Sequence, residues 1–208
     1  MDHILQYFPK LTERQIQQLQ LLGPLYQEWN QKINVISRKD IDQVYPHHIL
    51  HGMAVAKFVT FKPGARVLDL GTGGGIPGIQ LAILFPETQF HLIDGTRKKI
   101  TVVQALADAL ELKNVKAEQI RAEELKAKFD FVVCRAVASL DKLVAWSFPL
   151  ISDKQQHGLP NGLITLKGGN LKEEKKLLPR GSYVDIVSVS RFFPMPYYEE
   201  KAIVYVQK

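Results

Sequence analysis

The stretch VLDLGTGGGIPGIQLAI, Val67 to Ile83, decides the fold: an apolar run leads through five glycines and Pro77 into a helix-like run. It satisfies two nucleotide-binding patterns at once. Gly73-x-Gly75-x-x-Gly78 has the spacing of a dinucleotide fingerprint, and Asp69-x-Gly71-x-Gly73-x-Gly75 has the acid-plus-glycine spacing of S-adenosylmethionine enzymes. In both patterns glycines permit positive backbone angles and bring a ligand close to main-chain amides at a helix N-terminus.

Outward from this loop, strand and helix signals alternate. Arg66 to Leu70 reads as a short strand, Ile76 to Phe85 as a helix stopped by Pro86, and Phe90 to Ile93 as a strand ending at Asp94. A helix from Lys98 to Leu112 follows, with Ile100, Val103, Ala107 and Leu110 on one face, then a weak strand at Lys116 to Ile120, the strand FDFVVCR, a helix at Leu140 to Phe148 and the strand GLITLKGG. Such alternation predicts an α/β fold, a mostly parallel sheet with helices on both faces. SYVDIVSVSRF and KAIVYVQK, joined by a loop holding Pro194 and Pro196, predict an antiparallel pair at the C-terminal edge.

Before the first strand the pattern is helical. Ile16, Leu19, Leu22, Leu25, Tyr26 and Trp29 recur at helical spacing behind a Thr12-x-x-Gln15 capping box, with a disturbance expected at Gly23-Pro24. WNQKINVISR reads as a turn, and a second helix is expected from Asp42 past Lys57 with Pro46 in its first turn. Residues 1–62 thus form an N-terminal helical cap on a Rossmann-like core of residues 63–208, one domain in all. Dinucleotide enzymes instead carry their glycine loop close to the N-terminus.

Composition narrows the classes further. The chain has 208 residues, 46% hydrophobic, enough for a substantial core. Its longest apolar stretches fall far short of the roughly 18 residues of a membrane span. MDHILQYFPK, with Asp2 and His3 where a signal peptide carries its basic region, gives the expectation of a cytoplasmic protein. Cys134 is the single cysteine, which excludes an intramolecular disulfide and a zinc ribbon. A net charge of +6 favours a polyanionic partner.

Asp69 shifts the balance between the two patterns, because the dinucleotide fingerprint places apolar residues before its first glycine. A carboxylate there helps hold the cationic amino end of methionine, or caps the loop through backbone amides. Asp94, at the end of the second strand, accepts hydrogen bonds from ribose hydroxyls in either class. RAEEL, Arg121 to Leu125, follows the third strand, where adenine would meet the backbone at Ala122 and the carboxylate of Glu123; acidic residues at a helix start also answer to the helix dipole.

WNQKINV, VLDLGTGGGIPGIQLAI, RAEEL, FDFVVCRAVASL and LKGG, in this order, resemble the ribosomal small subunit methyltransferase G family, also called the glucose-inhibited division protein B family. The resemblance covers nearly the whole chain. It implies a Rossmann-like class I fold, S-adenosylmethionine as cofactor, and methylation of N7 of a guanine in 16S ribosomal RNA of the small subunit, with no metal. By matching position it places Gly71 and Ile76 in the cofactor loop, Ala122 and Glu123 at the adenine and Arg135 on the active-site side. The sequence departs from the family at His51-Gly52, where many relatives read Asp-Ser, and at Cys134, where serine is common.

Guanine N7 carries an in-plane lone pair, so the chemistry needs positioning rather than a general base. This agrees with Cys134-Arg135-Ala136-Val137 standing where amine methyltransferases carry Asn/Asp-Pro-Pro-aromatic. Arg135 suits the methionine carboxylate, an RNA phosphate or guanine O6, and Lys167 after the fifth strand is a candidate for the same tasks or a solvated strand-end lysine. Cys134 reads as a small buried side chain rather than a nucleophile. His47, His48 and His51 have metal-compatible helical spacing but no accompanying carboxylate motif, so packing, cofactor-side or RNA contacts are the stronger reading. Arg97, Lys98 and Lys99, and Lys172, Lys175, Lys176 and Arg180, are candidate phosphate contacts or solvated helix faces. The expected partner is 16S ribosomal RNA or the small subunit, met by a monomer. Two rivals stand beside this reading: an NAD-dependent oxidoreductase, for which no Tyr-x-x-x-Lys pair is visible, and an inactive RNA-binding protein with the same fold.

Overall fold

The computed structural model describes residues 1–135 and 137–208; Ala136, within the Cys134-to-Val137 stretch, lies outside them. The chain opens with α1 (Asp2–Tyr7) and α2 (Glu13–Lys32). Thr12 and Gln15 form the expected capping box at the start of α2. The helix runs unbroken through Pro24. Proline removes the N–H that would have reached the Gln20 carbonyl, and the Tyr45 hydroxyl donates to that carbonyl instead, at 2.7 Å. Gly23 makes this possible, since a Cβ there would lie 2.4 Å from the Tyr45 ring.

The single helix expected from Asp42 onward is instead a series of short turns. A 3₁₀ turn at Ile41–Gln43 passes into a π-type turn at Val44–Ile49, then α3 (Leu50–Met53) and α4 (Val55–Phe58). Pro46 sits in the π-type turn.

The strands follow the expected alternation: β1 (Arg66–Leu70), α5 (Gly78–Leu84), β2 (Gln89–Asp94), α6 (Arg97–Ala109), β3 (Val115–Gln119), β4 (Phe131–Arg135), α7 (Leu140–Ser147), β5 (Gly162–Gly168), α8 (Leu171–Lys176), β6 (Val184–Ser188) and β7 (Lys201–Gln207). They form one sheet in the order β3-β2-β1-β4-β5-β7-β6. Strands β1 to β5 are parallel, and β7 runs antiparallel to both β5 and β6. The C-terminal pair forms as expected, with its later strand β7 placed inside and β6 at the edge.

Side chains alternate across the strands and divide the core in two. Val67, Phe131, Val133, Ile164 and Leu166 pack on the face covered by α2, α3 and α5; Leu68, Leu70, Val132, Cys134 and Leu163 pack on the face covered by α7. Strand order reverses between β1 and β4. Open α/β sheets bind ligands at that switch point, beyond the C-terminal strand ends.

Candidate functional site

Asp69 ties together the loop that leaves β1. Its Oδ2 accepts from the Thr72 hydroxyl at 2.6 Å and from the Gly78 N–H at 2.9 Å, so one carboxylate oxygen holds both ends of the turn. The residue is fully buried and Oδ1 has no partner among the described residues. Burial pushes its carboxyl up to about 7, against the lowering effect of these two bonds. Gly71 and Gly73 adopt φ of +68° and +59°, a region L side chains avoid. A Cβ on Gly71 would sit 2.9 Å from Val137, whereas at Gly73 it would meet open space.

Asp94 completes this rim. Its Oδ2 accepts from the Gly73 N–H at 3.1 Å and its Oδ1 from the Thr96 N–H at 2.9 Å, and Lys99 lies 3.4 Å away. Between Gly71, Asp94, Ala122, Glu123, Val137 and Trp146 lies a cavity of about 330 Å³. Its lining joins the apolar Ile93, Ile120, Val137 and Trp146 to the acidic Asp94 and Glu123, which suits an adenosine group: hydroxyls toward Asp94 and a base toward Ala122 and Glu123. The buried, unpartnered Asp69 Oδ1 and the open space over Gly73 fit a ligand that continues past the loop.

Gly75 and Ile76 serve this loop from behind. Gly75 also has positive φ, +90°, and Ile76 is buried with its side chain toward Gly52 of α3.

Two buried cap residues, not singled out as site residues from the sequence, hold the loop in place. The Tyr26 hydroxyl donates to the Gly74 carbonyl at 2.9 Å, and the Gln80 amide lies 3.2 Å from the same hydroxyl. Asn30 accepts from the N–H groups of Val35 and Ile36 at 2.8 and 2.9 Å and donates to the Ile36 carbonyl, fixing the turn whose Val35 packs on Gly74. The only sequence signal was their membership of the WNQKINV segment and the helical stripe. Trp146, on the cavity wall, carried none.

The two candidate basic residues part company. Arg135 pairs across the sheet with Leu166 and shares its face, toward the cap. Lys167, one residue on, points to the opposite face. There it is 7% exposed, in an ion pair with Glu174 at 2.7 Å, and donates to the Ala138 carbonyl at 2.7 Å. Glu174 also accepts from the Leu140 N–H at 2.9 Å. Lys167 is therefore neither solvated nor beside Arg135; it fastens the segment carrying Val137 to α8.

On the cap face, Arg135 Nη1 lies 3.1 Å from His48 Nδ1, and His48 Nε2 lies 2.7 Å from Asp40. His47 takes the other Asp40 oxygen at 2.7 Å and stacks on Tyr197 at 3.7 Å between centroids. Burial and the Arg135 charge push His48 down to about 4 and His51 to about 3. His51 is buried against Tyr197 and Tyr198, with neither ring nitrogen partnered among the described residues. The histidines thus divide between one carboxylate and an aromatic pocket, and no group of metal-ligating residues occurs among the described residues. Cys134 is buried, its thiol pushed up to about 12 by burial, as an inert core side chain requires.

Comparison with known proteins gives the family and the fold. A family model described as rRNA small subunit methyltransferase G matches residues 15–193. The chain is 55% identical over 206 residues to the Ribosomal RNA small subunit methyltransferase G of Flavobacterium johnsoniae, covering 99% of this chain and 97% of that one. It is 53% identical over 207 residues to the protein of that name from Bacteroides thetaiotaomicron, covering 100% of both. Among solved structures, a SAM dependent methyltransferase from Aquifex aeolicus shares the fold with a TM-score of 0.51 at 18% identity, covering 74% of this chain and 88% of that one. Fibrillarin from Aeropyrum pernix, solved with S-adenosyl-L-methionine, does so at 0.54 and 14% identity, covering 76% and 73%. The nicotinamide reading of the glycine spacing finds no support here.

Proposed function

We propose, since the chain belongs to the rRNA small subunit methyltransferase G family, that it transfers the methyl group of S-adenosylmethionine to N7 of a guanine in 16S ribosomal RNA. The observation that carries this reading is the cavity beyond the C-terminal strand ends, where Gly71 follows β1, Asp94 ends β2, Ala122 and Glu123 follow β3 and Val137 follows β4. When bound, the cofactor supplies a methyl group activated on a sulfonium.

The chain's own residues do the positioning. Asp94 would receive the ribose hydroxyls, Ala122 and Glu123 the adenine edge, and the open backbone at Gly73 would admit the remainder. Asp69 keeps that loop in shape through Thr72 and Gly78. Guanine N7 attacks with its own lone pair, so no residue has to remove a proton. Arg135 serves guanine O6 or an anionic group beside the transfer, since N7 itself must face the methyl. Lys167 acts at a distance, by fixing the Val137 wall.

The same reading takes the chain as one domain and a monomer in the cytoplasm, with 16S ribosomal RNA or the small subunit as partner and no metal. The cap and the sheet share a continuous core, which supports the single domain. No helix among the described residues is long and apolar enough to cross a membrane. Labelled methyl transfer to naked 16S RNA, to small subunits and to intact ribosomes, followed by chemical cleavage at 7-methylguanine, tests it. One labelled, cleavable guanine is expected; cofactor binding without label in any substrate would overturn the reading.

A further inference from the structure

The guanidinium of Arg135 has an unusual companion. Buried or half-buried arginines commonly meet a carboxylate in a bidentate pair, yet among the described residues no carboxylate lies within ion-pair range of Arg135. Its side-chain partner is His48 Nδ1, at 3.1 Å. Arginine can only donate, so Nδ1 must be the bare nitrogen and the imidazole proton must sit on Nε2. That nitrogen faces Asp40 at 2.7 Å, a carboxylate that can only accept when ionised. The tautomer is therefore fixed from both sides. Asp40 is itself anchored by His47, which is stacked on Tyr197 and whose carbonyl accepts from the Tyr197 hydroxyl at 3.2 Å.

We propose that Asp40 and His48 are positioning residues for Arg135: Asp40 sets the His48 tautomer, and His48 holds the guanidinium toward the methyl-transfer site through a neutral acceptor. The logic parallels a carboxylate orienting a histidine that in turn aligns a reacting group. A neutral acceptor has a consequence that a carboxylate would not. It occupies one N–H of the guanidinium and leaves the positive charge uncancelled for the substrate side. Burial and the neighbouring Arg135 charge keep the imidazole neutral, while Asp40 pulls the other way and His47 adds to the depression. This inference rests on the methyl-transfer reading above.

The test compares His48→Ala, His48→Asn, Asp40→Ala, Arg135→Ala and the double variant His48→Ala/Arg135→Ala in the full chain. Methyl transfer to small subunits, cofactor affinity by calorimetry and melting temperature are measured for each. His48→Ala is expected to lower kcat at least tenfold while cofactor affinity stays within threefold. His48→Asn, whose Oδ1 stands where Nδ1 stood, is expected to recover most of that loss. Asp40 is partly exposed, so Asp40→Ala should fold and still lower kcat several-fold. The double variant should be no slower than Arg135→Ala alone, because without the arginine there is nothing left to position. Losses that multiply in the double variant, a fully active Asp40→Ala, or a His48→Asn as slow as His48→Ala would overturn the relay. A wild type that labels no RNA overturns the methyl-transfer reading and the relay with it, so the two failures are told apart by the wild-type lane.

Discussion

At the scale of single residues, Asp69 takes the loop-capping role, one of the two that its sequence position offered. Its place before the glycines marks it as a ligand-loop carboxylate, but its bonds go to Thr72 and Gly78, within the loop itself. The acid's folded value, about 7, lies above the ordinary 3.8 of an exposed one. A group shifted upward on folding adds stability that is full below the unfolded value and is lost as pH rises through the folded one. Asp69→Asn keeps an acceptor for Thr72 and Gly78 and removes the titration. Between pH 4.5 and 8 the cofactor-free wild type should therefore lose roughly 3 kcal/mol relative to the variant, at about 1.4 kcal/mol per unit, as read by urea unfolding. Parallel pH profiles would contradict the assignment.

Lys167 is the reverse case, wrongly placed from sequence because its partner is remote. Its position after a strand suggested a residue at the same opening as Arg135. Side-chain parity sends the two to opposite faces once Arg135 pairs with Leu166, and that register depends on strands no local pattern can align. Glu174, the group that neutralises Lys167, comes from α8. Glu174→Ala leaves a buried ammonium with the Ala138 carbonyl and an unmet Leu140 N–H, and should destabilise the fold by about 2–4 kcal/mol. Cofactor affinity should fall with it, because Val137 lines the cavity; thermal melts and calorimetry on the same sample check both effects.

At the scale of elements, the five parallel strands and their helices were readable because glycine, proline and charge bracket each apolar run. β1 falls on the residues expected. The region from Ile41 to Phe58 was not readable as it is. Its π-type turn is held by Asp40, bonded to His47 and His48, and by two contacts from far along the chain, Tyr197 to the His47 carbonyl and Tyr198 to that of Pro46. Helical periodicity in that segment records its burial, not its winding. Helix α2 hides a second function in the same way, since the stripe that packs it also delivers Tyr26 and Asn30 to the glycine loop. Asn30→Ala strands two N–H groups and a carbonyl of the 33–37 turn. It should cost roughly 2–4 kcal/mol and weaken cofactor binding at least fivefold, measured by urea unfolding and calorimetry; unchanged binding would separate the turn from the site.

At the scale of the whole molecule, cap and sheet are one body. Ile4, Leu19, Leu22 and Tyr26 belong to the same core as Val67, Phe90 and Ile164. Removing residues 1–32 takes α2 off α5 and α6 and exposes their apolar faces, so the truncated chain should lack a cooperative melt by near-ultraviolet circular dichroism and should not bind the cofactor. A cooperative melt would show the cap to be dispensable. The sequence presents the cap as part of one domain; packing adds that its Tyr26 and Asn30 support the glycine loop.

The placing of β7 between β5 and β6 sets the order in which this site is finished. Tyr197 and Tyr198, which brace the histidine turn, lie just before β7, 150 and 152 residues after the carbonyls they meet. During synthesis the histidine turn therefore emerges long before the segment that braces it. Until β7 has been made the sheet is open at β5 and that turn is unbraced. The site is finished only when these two distant segments have met.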